Sequence, residues 1–155
     1  MATNTHLQRL DTAADTTGSS VSASNRRQTE DFIAGGAIAA GDWVAFDASK
    51  TGSDQLLYVV EAAGVTTKGN SAAFGVALAA AATDERVTVV VSGFCESAQV
   101  AAATVAGSAL VGPIGTAGRA EIEVPGTTTG QLCGIALTDD SAVTNYAQVV
   151  VLKQF

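Results

Sequence analysis

Hydrophobic and polar residues begin to alternate near Gln28, and a period of two recurs along much of the remaining chain. In GDWVAFDA, Trp43, Ala45 and Asp47 fall on one face and Val44 and Phe46 on the other, the pattern of a β-strand. The turn formers of ASKTGSD separate that run from QLLYVVEA, which is rich in β-branched and aromatic residues, so the two runs predict a hairpin. Further strands are expected at about 74–79 (FGVALA), 86–94 (RVTVVVSGF), 118–124 (GRAEIEV), 132–137 (LCGIAL) and 146–153 (YAQVVVLK). The clearest half-buried strand is RAEIEV, where Arg119, Glu121 and Glu123 alternate with Ala120, Ile122 and Val124. Two alanine-rich pieces, VALAAAATDERV and SAQVAAATVAGSALV, compete as helices because alanine has the highest helix propensity. Gly107, the recurring valines and threonines and the lack of an apolar stripe at 3.6 spacing limit this to at most one short helix near 97–105.

The pattern then repeats. Gly75-Val76-Ala77-Leu78 aligns with Gly134-Ile135-Ala136-Leu137, Val89-Val90-Val91 with Val149-Val150-Val151, and Ala40-Gly41-Asp42 with Ala106-Gly107-Ser108. Two β units follow, near 37–94 and 102–155, each too small to bury a core alone and therefore expected to pack on the other. A glycine before each apolar strand suggests a bulge or a close backbone approach. The expectation is an all-β chain with one compact β-barrel or β-sandwich body over residues 31–155.

Residues 1–30 differ. They are rich in Thr, Ser, Asn, Asp and Ala, with Met1, Leu7, Leu10 and Val21 as the sizeable apolar groups, too few to offset the entropy of ordering. Such a segment is either a disordered tail or an extended N-terminal arm ordered by a partner. Arg9, Arg26 and Arg27 balance Asp11, Asp15 and Glu30 there, so the whole formal charge of -7 belongs to the body. An acidic body disfavours nucleic acid, whose phosphates require clustered lysine and arginine. No apolar run approaches the length of a membrane span, and no signal peptide is visible.

Candidate chemistry is sparse. The chain shows no GxxxxGK[ST], HExxH, CxxC or GxSxG, and its single histidine, His6, lies in the polar leader, so no enzyme activity, cofactor or metal is expected. Cys133 aligns with Phe74, which makes it a small core residue rather than a reactive thiol, while Cys95 stays open between the two. The acidic pairs Asp84 with Glu85, Glu121 with Glu123 and Asp139 with Asp140 read as solvated or turn-capping carboxylates. Trp43 and Phe46 are scarce large aromatics, and each is either ordinary core or an interface anchor.

The succession of AGDWVAFDA, AFGVALAAAATDERVTVVVSGFCESAQV, AGSALVG and a final GIAL strand pair resembles the capsid decoration, or cement, proteins of tailed bacteriophages over residues 35–137. That resemblance implies a β-barrel or β-tulip-like body on the outer surface of an icosahedral head, bound to the major capsid protein, usually as a homotrimer, and stabilising the capsid. The arm before residue 31 is longer than the leaders of that family. It is expected to lie across a neighbouring subunit, with Arg9, Arg26 and Arg27 pairing with shell carboxylates and Leu7 and Leu10 supplying apolar burial. The alternatives are a phage tail or fibre component and, from another class, a small β-barrel ligand-binding protein.

Overall fold

The computed structural model describes residues 26–64, 69–128, 130–140 and 145–152. Nine strands form one sheet: β1 (Arg27–Ala34), β2 (Trp43–Phe46), β3 (Tyr58–Glu61), β4 (Ala73–Ala77), β5 (Arg86–Gln99), β6 (Ala109–Val111), β7 (Glu121–Ile122), β8 (Leu132–Ala136) and β9 (Tyr146–Val151). The strand order is β1-β3-β2-β4-β5-β9-β8-β6-β7, and β5 also pairs with β1. That extra pairing closes the first five strands into a barrel.

β5 is 14 residues long and serves more than this closure. Its first half pairs antiparallel with β4 and β1, and from Gly93 onward it pairs with β9. At that rung Gly93 faces Arg27 of β1 on one side and Val151 of β9 on the other.

The pairing of the first five strands recurs in the second half. In the first, β1 runs parallel to β3 (Ala34 opposite Val59), β3 pairs with β2, β2 with β4, and β4 with β5. In the second, the end of β5 meets Ala120 through a parallel bridge at Val100, β7 pairs with β6, β6 with β8, and β8 with β9. Val44 faces Gly75 as Leu110 faces Gly134, and a bulge follows at once in both. Gly41 N–H donates to Ala77 O and Gly107 N–H to Ala136 O, each at 2.8 Å, and both glycines sit at positive φ, 88° and 87°, which side chains rarely tolerate.

Several elements differ from the sequence reading. β1 begins at Arg27 and forms a stave of the barrel, so the last residues of the expected arm belong to the body. No α-helix forms among the described residues. The stretch near 97–105 continues β5 to Gln99 and then turns, because β9 offers it a ladder that an isolated alanine-rich helix lacks. A 3-10 turn at Gly52–Leu56 replaces the start of the expected second hairpin strand, leaving Leu56 and Leu57 exposed. RAEIEV pairs continuously only at Glu121–Ile122, flanked by bridges at Ala120 and Val124, and Val124 is exposed.

Two cores result. The first, inside the five-stranded barrel, holds Phe32, Val44, Val59, Phe74, Val87 and Val89 with Phe46 packed against them. Phe46 and Phe74 stack at 4.4 Å, and Phe32 meets both edge to face at 5.9 and 5.6 Å, favourable geometries for aromatic pairs. The second core is lined by small residues of the second half, including Cys95, Ala98, Cys133, Ala136 and Ala147, and by residues of the first half, Trp43, Ala73, Val76 and Val90.

Gly75 and Gly134 are required by close approach. A Cβ on Gly75 would lie 2.5 Å from Val89 Cγ1 and 2.8 Å from Val90 O, and one on Gly134 would lie 2.9 Å from the Trp43 ring and 3.0 Å from Val150 O. Gly75→Ala should destabilise the protein by about 1–3 kcal/mol through overpacking, read as a lower midpoint in denaturant unfolding. Gly134→Ala should also shift Trp43 fluorescence, and a shift from Gly75→Ala alone would contradict this placement.

Candidate functional site

Leu7, Arg9 and Leu10 lie outside the described residues. Arg26 immediately precedes β1 and Arg27 opens it, so these two guanidinium groups stand where the leader enters the body. Arg27 borders a cleft of about 180 Å³ with Ala40, Gly41, Leu78, Glu96 and Ser97.

Trp43 is not an exposed anchor. It is 0% exposed and sits in the second core. Its indole N–H donates to Gln99 O at 3.0 Å, its backbone N–H to Gly118 O at 2.8 Å, and its carbonyl accepts from Ala62 at 2.8 Å. The physical reason is room: alanine and cysteine line the second half, and the indole fills the space they leave. Phe46 is half-buried, stacked on Phe74, and it borders an open groove of about 360 Å³ with Asp47, Ala48, Gln55, Leu56 and Ala72.

The loop before Trp43 holds a group that sequence reasoning passed over. Asp42 is buried, and it accepts hydrogen bonds from Ala39 N–H and from Gln99 Nε2, both at 2.6 Å. Tyr146 adds a hydroxyl donation to Ala40 O at 3.2 Å, and Gln99 N–H donates to Gly41 O at 2.9 Å. Together these bonds latch the first half's Ala39–Asp42 turn to the end of β5 and the start of β9. Burial pushes the Asp42 carboxyl above its ordinary range and the Glu61 charge adds to this, while the Ala39 N–H opposes it. The signal in sequence was the acid inside GDW, where a period-two strand beside a glycine turns an Asp inward.

In two of the acidic pairs, carboxylates are engaged by backbone. Glu85 accepts from Ala82 N–H at 2.8 Å, Asp139 from Ala106 N–H at 2.8 Å, and Asp140 from Ala103 N–H at 2.8 Å. Glu121 meets Arg119 at 3.4 Å. Glu85, Asp139 and Asp140 thereby fasten turns. Among the described residues no group of three or more His, Cys, Asp or Glu side chains is placed to hold a metal ion. Cys95 and Cys133 are buried, and desolvation raises both thiols, Cys133 the more strongly, so neither is an activated nucleophile. Three long aliphatic side chains, Leu132, Ile135 and Leu137, stand exposed on β8 and just beyond it.

With this geometry in hand, the chain matches a solved structure, the head fiber gp8.5 N base of bacteriophage phi29, with a TM-score of 0.51 and 13% identity over 81% of this chain and 93% of that one. The likeness is one of fold. No protein-family model matches the sequence, and no curated protein is significantly similar to it.

Two outcomes test this site. Trp43→Ala should lower stability by about 3–5 kcal/mol, since it empties the second core and orphans the Gln99 carbonyl. Wild-type-like stability on chemical denaturation would remove Trp43 from the core. The raised Asp42 pKa means that its contribution to stability is greatest at low pH and is lost as pH rises through the raised value. Carboxyl NMR titration should therefore place its midpoint above 3.8, and Gln99→Ala, which removes a donor to the ionised form, should raise it further.

Proposed function

We propose that the chain is a structural protein of a bacteriophage virion, held on the outer surface of the head as a decoration protein that braces the major capsid protein. The observation that carries this reading is the likeness in fold to the base of a phage head fiber. The order of sequence motifs, which resembles that of decoration proteins of tailed phages, supports it independently. So does the architecture: a rigid body with turns fastened by carboxylates presents many shallow surfaces, and repetition over a symmetric shell multiplies weak contacts by avidity.

The same fold likeness supports a second reading, that the chain is the attachment base of a head fibre. In both, the polar leader is the segment that contacts a partner, with Leu7, Arg9 and Leu10 along it and Arg26 and Arg27 where it joins β1. The protein acts by binding, and no enzymatic step is assigned to it.

Copy number separates the readings. Quantitative mass spectrometry of purified virions should give a ratio to the major capsid protein near one for a decoration protein and a handful of copies per particle for a fibre base. Absence from virions would overturn both. On heads lacking the protein, a full-length Leu7→Ala, Arg9→Ala, Leu10→Ala variant should bind more weakly than wild type while melting at the same temperature. Undiminished binding would take the leader out of the contact.

A further inference from the structure

We propose that a charge-free apolar row on the outer sheet of the second half, Phe94, Val150, Ile135 and Ala109, is a second contact with the partner that the leader engages, and that it takes an uncharged, apolar surface of the shell protein. The inference rests on the reading of the chain as a head-bound protein whose leader meets the shell.

The row follows from register. Phe94 faces Val150, Val150 faces Ile135, and Ile135 faces Ala109, so the four lie in line across β5, β9, β8 and β6. Their chain neighbours Cys95, Val149, Ala136 and Leu110 are buried in the second core. Side chains alternate along a strand, so the row points away from that core. Its members are half-buried or exposed, Ile135 at 39%. Leu137 stands exposed in the next rung, where its N–H donates to Gln148 O at 2.7 Å. No charged side chain interrupts the row, in a chain with 15 Asp and Glu residues. The outer face of β1 and β5 in the first half is different: there Asp31 pairs with Arg86 and accepts from Thr88 at 2.7 Å. An antiparallel sheet facing water carries polar residues of that kind. Contiguous apolar ones mark a protein contact.

The place where the leader joins the body identifies the occupant. Residues 1–25 lie outside the described residues, and the described chain starts at Arg26, whose carbonyl is so near Gly93 that a Cβ there would lie 2.0 Å from it. Gly93 immediately precedes Phe94, so the leader enters the body at one end of the row. Ala109, at the other end, is three strand spacings away, roughly 14 Å. A surface that holds the leader is thereby brought against the row. Size argues against a contact that stands alone, since a stable interface buries about 800 Å² per partner, more than four partly exposed side chains supply. So small a patch holds a partner only beside a tethered second contact, where a short connection makes the effective concentration high. The leader is that contact. A row without charges leaves a buried charge on the partner unpaired, which is costly, so the matching surface is apolar and uncharged as well.

Binding of the full-length chain to heads that lack it tests the contact. Ile135→Glu should weaken binding by about 30-fold, because it puts an unpaired charge in the middle of the row, with circular dichroism and melting temperature as in wild type. Should that variant lose its fold, Ile135→Thr makes a smaller change and should still weaken binding. Leu56→Glu adds the same charge at an exposed apolar residue of the first half and should bind like wild type. Binding that survives both changes at Ile135 overturns this contact and leaves the head reading standing, whereas a wild type that binds no heads overturns both. An equal loss in Leu56→Glu points to general charge repulsion and also overturns the contact. In the absence of heads, sedimentation should give wild type and Ile135→Glu the same mass. A smaller mass for Ile135→Glu assigns the row to a second copy of the chain and overturns the proposal.

Discussion

The architecture depends on β5 serving two sets of strands at once. Its first half must present Val87, Val89 and Val91 to the first core and Val90 to the second, and its second half must present Cys95 and Ala98 to the second. A strand with both faces buried cannot alternate with polar residues, which is why RVTVVV reads as a nearly continuous apolar run. The changeover falls at Gly93, where β1 and β9 meet β5 from opposite sides.

That sharing makes the halves unequal although their pairing is alike. The first core is filled by its own phenylalanines, whereas the second is built from small residues and is completed by Trp43, which the first half donates. The Asp42–Gln99 latch and the Gly118 bonds to Trp43 and Ala62 then fix the donated side chain in place. A second half without the first would keep a void where the indole sits, and voids of that kind are costly in close-packed interiors. The repeat is thus one of backbone pairing, with side-chain volumes divided between the copies.

Legibility in the sequence followed local physics. The all-β class, the β2–β3 hairpin and strands β4, β5, β8 and β9 could be read because each is a short run of β-branched residues bounded by turn formers. The parallel pairing of β1 with β3 and the continuation of β5 beyond Phe94 could not, since both depend on partners far away in sequence. RAEIEV misled because alternating charge describes a solvated face whether or not a ladder forms beside it, and only Glu121 and Ile122 find one. Trp43 was ambiguous for a related reason: an aromatic on an outward face of one barrel is buried only when a second unit closes over it. The Asp42 latch was hidden because its partner Gln99 lies 57 residues away.

The rung at Gly93 has a topological consequence. Arg27 and Val151 flank the same residue, so the polypeptide entering β1 and that leaving β9 are two strand spacings apart, roughly 10 Å. Strand ends that lie this close can be bridged by a short linker in place of the segments outside them and the chain reopened at a surface turn, such as the 3-10 segment at Gly52–Leu56; circular permutation of that kind keeps every described ladder intact.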